Sequence, residues 1–465
     1  MPDLLLTHGY FMHEDPKELL IRKPYTPLGL LYICSYLRAK LFDIEVLDST
    51  FSTKIELFCR LQTGRPSVLG VYANLMTRGN VVEILRVAKH AGWKTVVGGP
   101  EPGAYIREYL AAGADIVVMG EGEATMEELL PALHSHGPDH VILRKIKGIA
   151  YLDADGRAQQ TEPRPQIPSI DALPWPARDA VDICSYLETW REAHGQSSLS
   201  LITARGCPYH CRWCSHQVFG KTHRRRSAPA VVDEVEWLLS TYHPDMLWMA
   251  DDVFTIHHGW LREYVAEMRR RGLSVPFECI SRADRLNAEA VGLLAELGCF
   301  RVWIGSESGS QRILDAMERG VTVGQVQTAV ALCKANGIQT GMFLMWGYEG
   351  EELSDIEATI EHVKRSDPDV FFTTVAYPIK GTPYYESTEN SLVQLKAWSQ
   401  TSDREIAIRG RHSRRFYGYA DQLLRDEVDL ARKLKPGGDG FQEGLQERIR
   451  ASREALTSCA REVEA

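Results

Sequence analysis

The chain has 465 residues, of which 25% are charged and 44% hydrophobic, and its formal net charge at pH 7 is −9. The length allows several domains with sizeable cores, whereas the negative charge argues against a protein that binds nucleic acid through its phosphates. No apolar run is long enough to span a membrane. The ten cysteines are mostly isolated within apolar segments, which is typical of buried free thiols, so we expect a cytoplasmic protein.

Residues 1–137 alternate short apolar strands with helical segments. The predicted strands cover residues 4–6, 44–47, 68–72, 95–97 and 116–119. Continuous apolar strands separated by helices predict a parallel sheet that is covered on both faces. We therefore expect a doubly wound, Rossmann-like α/β domain, with its ligand beyond the carboxyl ends of the strands.

Glycines follow two of these strands, at Gly98-Gly99 and in Gly120-Glu121-Gly122-Glu123. Glycine lets the backbone approach a ligand closely. Ordinary turns between a strand and a helix also contain glycine, so the residues by themselves leave both interpretations open.

The alternation stops between residues 138 and 196, where a short strand at 147–152 is followed by a proline-rich stretch. We interpret this segment as a linker between domains. Its prolines are Pro163, Pro165, Pro168, Pro174 and Pro176.

A second series of strands and helices occupies residues 197–385. Six strands are predicted, and helices follow five of them. Six units predict a partial (β/α)6 barrel, whose site would lie at the carboxyl ends of the strands. Residues 386–465 are polar and predict a helical C-terminal region. The predicted barrel strands cover residues 199–203, 246–249, 276–281, 300–304, 339–345 and 371–376.

Three cysteines, Cys207, Cys211 and Cys214, lie in the loop after the first barrel strand. Three thiolates can ligate three irons of a cubane iron–sulfur cluster and leave the fourth iron open for chemistry. A zinc site that adds His210 or His216 is the alternative which the spacing leaves open. The position of the cysteines, where a barrel enzyme carries its chemistry, favours the cluster.

The spacing Cys207-x-x-x-Cys211-x-x-Cys214, with Trp213 before the last cysteine, resembles the radical S-adenosylmethionine (SAM) superfamily. The resemblance implies a [4Fe–4S] cluster whose open iron binds SAM, and cleavage of SAM to a 5′-deoxyadenosyl radical. An acidic residue taken alone can also be a helix N-cap or part of a surface ion pair. The resemblance implies cofactor binding by residues at successive strand ends: Asp251, Asp252, Glu278, Arg282, Gly305 and Glu307.

A doubly wound domain before such a barrel resembles the cobalamin-binding radical SAM enzymes. Tyr25-Thr26-Pro27-Leu28-Gly29-Leu30, the turn at Gly98-Gly99-Pro100 and the segment Gly120–Glu123 carry this resemblance, which spans residues 1–385. The motif Asp-x-His-x-x-Gly, which supplies a histidine to cobalt in other cobalamin proteins, is absent, as in many members of this group. The cobalamin-binding residues implied are Tyr72, Leu75, Arg78, Gly98, Gly99 and Glu121.

The loop from Tyr72 to Arg78 would then face the cobalt, with Leu75 or Arg78 at its lower face. A residue that cannot coordinate would favour a low-coordinate cobalt, which helps methyl transfer.

The resemblance implies an enzyme that methylates an unactivated carbon through the adenosyl radical and methylcobalamin. Two alternatives remain: an oxidative cyclase acting on a tetrapyrrole, resembling the anaerobic magnesium-protoporphyrin monomethyl ester cyclase, and a noncatalytic zinc- or corrinoid-binding module. The expected partners are a small-molecule substrate, for which aromatic residues hint at a large or aromatic compound, and an electron donor such as flavodoxin or ferredoxin. No nucleic acid and no transmembrane segment are expected.

Overall fold

The computed structural model describes residues 2–136, 140–434 and 443–464. These residues fall into two compact units. The first unit comprises the segments Met1–Pro208, Ser215–Ala250 and Lys396–Ser402. The second unit comprises the segments Tyr209–Cys214, Asp251–Leu395 and Asp403–Ala465. Within the described ranges, no helix is both long enough and apolar enough to cross a membrane.

The first unit alternates strands and helices, as the apolar pattern predicts. Local sequence sets several helix starts: Thr53 and Glu56, for example, form a reciprocal capping box at the start of α3. The elements of this unit are, in chain order, β1 (Leu4–His8), α1 (Pro16–Ile21), α2 (Leu28–Ala39), β2 (Ile44–Leu47), α3 (Lys54–Thr63), β3 (Val68–Tyr72), α4 (Arg78–His90), β4 (Lys94–Gly98), α5 (Ile106–Ala111), β5 (Ile116–Val118), α6 (Glu123–His136), α7 (His140–Leu143), β6 (Ile149–Leu152), β7 (Ala158–Gln160), α8 (Ile183–His194), β8 (Ser198–Leu201), β9 (Ala204–Arg205), β10 (Arg224–Arg225), α9 (Ala228–Tyr242) and β11 (Met246–Met249).

Seven strands of this unit form one sheet in the order β2-β1-β3-β4-β5-β6-β7. Strands β1 to β5 are parallel, and β6 and β7 extend the sheet in antiparallel fashion. Neighbouring residues of β1 point to opposite cores: Leu4 and Leu6 pack with α2 and α6, and Leu5 packs with α3 and α4. The prediction of a doubly wound sheet covered on both faces is confirmed.

The first sheet extends beyond the predicted first domain. Strands β6 and β7 lie in the segment that the sequence assigns to a linker. They can form there because the proline-rich stretch begins only after β7. The predicted boundary between residues 137 and 138 lies outside the described residues. The compact units thus divide the chain differently from the predicted domains at 1–137, 138–196, 197–385 and 386–465, which stay a prediction.

The first two predicted barrel strands belong to the first unit. They correspond to β8 and β11, which pair in parallel. Between them, β9 and β10 form a short antiparallel ribbon in which Arg205 lies opposite Arg224. This ribbon encloses residues 206–223, the segment that carries the three cysteines.

The second unit contains the other four predicted barrel strands, each parallel to the next. A pair of antiparallel helices, α16 and α17, confirms the helical C-terminal region, and the hairpin β16–β17 precedes it. The elements of this unit are α10 (His258–Arg271), β12 (Phe277–Ser281), α11 (Ala288–Glu296), β13 (Cys299–Glu307), α12 (Gln311–Ala316), α13 (Val323–Ala335), β14 (Gln339–Trp346), α14 (Leu353–Ser366), β15 (Val370–Val375), α15 (Pro383–Thr388), β16 (Leu392–Val393), β17 (Ala407–Ile408), α16 (Arg414–Lys433) and α17 (Glu443–Cys459).

Candidate functional site

The loop with the cysteines joins β9 to β10. Cys207 belongs to the first unit, whereas Cys211 and Cys214 belong to the second. The backbone forms a turn from Cys211 to Cys214, in which the amide of Cys214 donates a hydrogen bond to the carbonyl of Cys211 over 3.2 Å. In the described part of the chain, no three His, Cys, Asp or Glu side chains stand together as a ready-made metal site.

Two buried guanidinium groups point at the Cys211 thiol. Nη1 of Arg282 and Nη1 of Arg319 each lie 3.7 Å from Cys211 Sγ. A hydrogen bond from Cys214 and the two positive charges lower the pKa of Cys211 to about 5, although burial opposes this. Because the thiolate is the form that binds iron, these residues fit a cluster ligand.

Arg282 directly follows β12 and is fixed on several sides. Its Nη2 donates to the Arg319 carbonyl over 2.8 Å, and its Nε donates to Asp284 over 2.9 Å. The guanidinium also lies 3.7 Å from the centre of the Tyr209 ring, within the cysteine loop. These contacts hold the guanidinium beside Cys211, and the cofactor role of Arg282 stays a prediction.

Arg319 is a residue that the sequence analysis missed. It follows α12 instead of a strand, so it lacks the strand-end signal by which the other candidates were found. Its Nη2 donates to the Gly305 carbonyl over 2.9 Å, and its Nε lies 3.7 Å from Glu307. A Cβ atom at Gly305 would come within 2.5 Å of Arg319, so glycine is required where the guanidinium passes the strand.

Glu307 ends β13 in a left-handed conformation, with φ of 61°, next to an irregularity in the strand register. Burial raises the pKa of Glu307 to about 7, against the opposing attraction of Arg319. A non-glycine residue in this conformation carries backbone strain, which is typical of functional sites. The structure therefore brings together Cys211, Arg282, Gly305, Glu307 and Arg319.

Three other predicted residues have different surroundings. Asp251 is buried after β11, whereas Asp252, the next residue, is exposed. Glu278 lies near the start of β12, about 10 Å along the strand from Ser281 at its end. It accepts a hydrogen bond from Trp303 Nε1 over 2.8 Å and lies 3.5 Å from Arg301. The structure thus assigns Glu278 a place within the sheet, away from the strand end expected from the sequence.

The carboxyl edge of the first sheet, meaning the loops after β3, β4 and β5, carries the residues predicted for cobalamin. Gly99 has φ of 117°, and a Cβ atom there would lie 2.3 Å from the Ala73 carbonyl oxygen. The Gly98 carbonyl accepts a hydrogen bond from the Ala73 amide over 2.8 Å. Tight backbone packing between two loops is thus a sufficient reason for the glycine at 99. Tyr72 and Leu75 are half-buried at this edge.

Arg78 does not lie at an open face of this edge, because its side chain is only 1% exposed. Its Nε donates to Glu101 over 2.6 Å, and its Nη1 donates to the Thr401 carbonyl over 2.9 Å. The guanidinium lies between the rings of Tyr105 and Trp398, at 4.5 and 5.2 Å. Arg78 thus anchors the segment Lys396–Ser402, and Leu75 is the better candidate for the cobalt face.

A histidine at the same edge, His8, ends β1 but is already engaged. Its Nε2 bonds Asp48 over 2.9 Å, and its Nδ1 bonds the Ser49 hydroxyl over 3.0 Å. Tyr186 donates to the other oxygen of Asp48 over 2.7 Å. Despite burial, the bonds from His8 and Tyr186 lower the pKa of Asp48 to about 2. The edge therefore fits a cobalamin whose cobalt takes no histidine from His8.

Glu121, in the turn after β5, is buried and ion-paired. Its two carboxylate oxygens accept hydrogen bonds from Arg205 and Arg224, each over 2.7 Å. The predicted residue thus contacts the base of the cysteine loop.

Comparison with known proteins matches two family models to the chain. The Radical SAM superfamily model matches residues 201–363, and the B12 binding domain model matches residues 21–130. An uncharacterized methyltransferase of Pyrococcus horikoshii is 30% identical over 400 residues, which are 83% of this chain and 83% of the relative. The chain belongs to the cobalamin-binding radical SAM enzymes. Its cofactors are accordingly a [4Fe–4S] cluster, SAM and cobalamin, and it is an enzyme, not a noncatalytic binding module.

Two further proteins of this kind show the range of the family. The anaerobic magnesium-protoporphyrin IX monomethyl ester cyclase of Rubrivivax gelatinosus is 27% identical over 355 residues, 74% of this chain and 63% of the cyclase. The solved structure of the radical SAM methyltransferase TsrM from Kitasatospora setae, with cobalamin and a [4Fe–4S] cluster bound, superimposes with a TM-score of 0.71. That match is 20% identical and covers 98% of this chain and all of TsrM, so it confirms the fold.

Proposed function

We propose that the protein transfers a methyl group derived from SAM to an unactivated carbon of a small-molecule substrate. The observation that carries this proposal is the carboxyl edge of the first sheet, where Leu75 is the candidate for the cobalt face and both ring nitrogens of His8 are engaged. A face without a strong ligand favours a low-coordinate cobalt, which suits the transfer of a methyl group. The relative from Pyrococcus horikoshii, itself named a methyltransferase, supports the same conclusion.

In this proposal Cys207, Cys211 and Cys214 hold the cluster. When bound, the cluster supplies the electron that cleaves SAM, and cobalamin carries the methyl group. Arg282 and Arg319 hold Cys211 as a thiolate and place positive charge beside it. Replacing Cys207 by Ala should remove most of about four irons per chain, whereas replacing the exposed Cys184 by Ala should leave the iron content unchanged.

The remaining proposed cofactor residues divide between the two cofactors. SAM would bind on the Cys211 side, near Arg282, Gly305 and Glu307. Asp251 and Asp252 follow β11 and would also contact SAM. Leu75, Tyr72, Gly98 and Gly99 would contact cobalamin. Glu121 and Arg78 would act indirectly, since both are buried in ion pairs.

An assay with SAM that carries a deuterated methyl group tests the reaction. Anaerobically reconstituted protein with a reductant and hydroxocobalamin should yield a product three mass units heavier than that from unlabelled SAM. An oxygenated product without the label would contradict methyl transfer. It would favour the second candidate, oxidation of a tetrapyrrole, for which the 27% identity to the cyclase is the supporting observation.

A cavity at the carboxyl end of β14 bears on the size of the substrate. Its volume is about 250 Å³, and Tyr348, Tyr384, Tyr417 and Glu351 contribute to its lining. Burial raises the pKa of Glu351 to about 8, so the carboxyl is largely neutral at pH 7. The cavity volume is below the roughly 300–1,000 Å³ of typical ligand pockets, so we propose that the cavity admits one aromatic ring. Compounds with a single aromatic ring should therefore precede tetrapyrroles in the assay.

We further propose that the protein works in the cytoplasm and takes its electrons from a flavodoxin or ferredoxin. The ten cysteines are free thiols, and most of those outside the cysteine loop are buried, which suits a reducing compartment. Replacement of dithionite by a reduced flavodoxin in the same assay tests the donor, with turnover as the expected result.

A further inference from the structure

Four charged side chains form a compact ion cluster at the base of the cysteine loop. We name Glu121, Glu123, Arg205 and Arg224 the base clamp. Arg205 donates through Nη1 to Glu121 over 2.7 Å and through Nη2 to Glu123 over 2.6 Å. Arg224 donates through Nη1 to the other oxygen of Glu121 over 2.7 Å. One carboxylate, that of Glu121, therefore binds both arginines.

The base clamp joins two functional elements of the first unit. Glu121 lies in the turn after β5 and Glu123 is the first residue of α6, at the carboxyl edge that we assign to cobalamin. Arg205 and Arg224 are directly opposite each other in the β9–β10 ribbon. They are thus the two ends of the loop that carries the cysteines, and Glu121 holds both ends at once.

Neighbouring contacts reinforce this arrangement. Glu121 also accepts a hydrogen bond from the Ile167 amide over 2.8 Å, and Arg224 donates to the Ile167 carbonyl over 2.7 Å. Gly206, the first residue inside the loop, has φ of 86°, and a Cβ atom there would lie 2.3 Å from the Thr222 carbonyl oxygen. The loop is therefore closed tightly at its base. A displacement of Glu121 should move Arg205 and with it Gly206, the residue before Cys207.

Stability alone does not explain these charges. Each of Glu121, Glu123 and Arg205 is less than a tenth exposed, and taking charged groups out of water is costly. Apolar residues of similar volume often serve a core equally well, so we look for the role of these four charges in the geometry that they impose. Here the imposed geometry is that of the two ends of the cysteine loop, Arg205 and Arg224, relative to the carboxyl edge of the first sheet.

We propose that the base clamp couples corrinoid binding at the carboxyl edge of the first sheet to the integrity of the cysteine loop, with Glu121 as the positioning residue. The inference rests on the proposed function, because it places cobalamin at that edge and the cluster at the cysteines. Coupling between two binding sites is reciprocal at equilibrium: bound cobalamin tightens binding of the cluster, and the cluster tightens cobalamin binding by the same factor. A cluster that is bound more tightly should also be lost more slowly.

The test uses the full-length protein reconstituted with iron and sulfide. Iron loss to a ferrous chelator is timed with and without saturating hydroxocobalamin, and the dissociation constant of hydroxocobalamin is measured with and without the cluster. In the unaltered protein we expect the cluster to tighten cobalamin binding by about fivefold or more, and cobalamin to slow iron loss. The variant Glu121→Gln keeps the shape but loses the charge, and both factors should fall to about one.

Two further variants separate coupling from general damage. Glu128→Gln removes a carboxylate of α6 that binds Arg164 over 2.9 and 2.7 Å outside the clamp, and should keep the full effect. Arg224→Gln releases one end of the loop while Arg205 keeps both glutamates, and should give an intermediate factor. It serves as the deciding variant if Glu121→Gln does not retain its cluster.

Retention of the full effect in both clamp variants would overturn the proposal, as would absence of the effect in unaltered protein that binds both cofactors. Failure of the unaltered protein to bind hydroxocobalamin at all would instead overturn the proposed function, and the coupling with it.

Discussion

The two arginines beside Cys211 predict how the cluster potential responds to mutation. Reduction of a cluster adds one negative charge, which a nearby positive charge stabilises. Arg319 is buried, and its Nη1 lies 3.7 Å from Cys211 Sγ. Replacing Arg319 by Met removes this charge while keeping an unbranched chain in its place. We therefore expect the cluster of the Arg319→Met variant to be harder to reduce.

The magnitude follows from Coulomb's law. A unit charge 3.7 Å from Sγ interacts by about 4.5 kcal/mol at an effective dielectric constant of about 20. The added electron is spread over the whole cluster, so we take roughly 2 kcal/mol as the difference between the oxidised and reduced forms. For a one-electron couple this equals about 90 mV towards more negative potentials.

An anaerobic redox titration followed by electron paramagnetic resonance measures this shift. Arg319→Lys keeps a charge but loses the planar hydrogen-bond geometry, and should shift the potential by less than half as much. Arg312→Met is the matched control, because Arg312 lies on α12, half exposed, and pairs with Asp355. An unchanged or more positive potential in Arg319→Met would refute the reasoning, provided that the iron content stays the same.

Three further predictions follow from the described contacts. Leu75→His should supply a ligand to the cobalt and shift the visible spectrum of bound hydroxocobalamin, and an unchanged spectrum would show that Leu75 does not face the cobalt. Gly305→Ala places a Cβ atom 2.5 Å from Arg319, so its cluster potential should shift in the same direction as that of Arg319→Met, with about 1–3 kcal/mol of lost stability in urea unfolding. Burial lowers the pKa of His362 to about 4, so His362 stays neutral in the folded protein at a pH where the unfolded chain binds a proton. Through this residue, the free energy of unfolding should fall by about 1.3 kcal/mol as the pH drops from 7.5 to 5.5. His362→Gln should remove that part of the pH dependence, and an equally steep loss in the variant would assign it to other groups.

Local patterns carried the prediction of the fold and of the cysteine loop. Apolar strands such as β1 and β3 are buried on both faces, and this burial forces a continuous run of apolar residues that is legible in the sequence. The strand-end candidates Arg282 and Glu307 come from the family resemblance, which implies cofactor-binding residues at successive strand ends. Arg319 was missed because a helix separates it from its strand.

Glu278 and Arg78 show that position along a strand or loop is insufficient to predict which residues contact a cofactor. Glu278 lies near the start of β12, where Trp303 binds it, and Arg78 is the first residue of α4, where Glu101, Tyr105 and Trp398 surround it. Trp398 is far from Arg78 in the chain, and no local pattern links the two.

By itself, the sequence determined the two α/β parts, the three cysteines and the family resemblance, because periodicity and spacing are local properties of the chain. Only the tertiary structure decided which charged residues meet. In the structure, Arg319 lies beside Cys211 and Arg78 is buried against Glu101. Glu121 accepts hydrogen bonds from Arg205 and Arg224, at the two ends of the cysteine loop. Buried charges must find a partner, and the fold, not the neighbouring sequence, provides it.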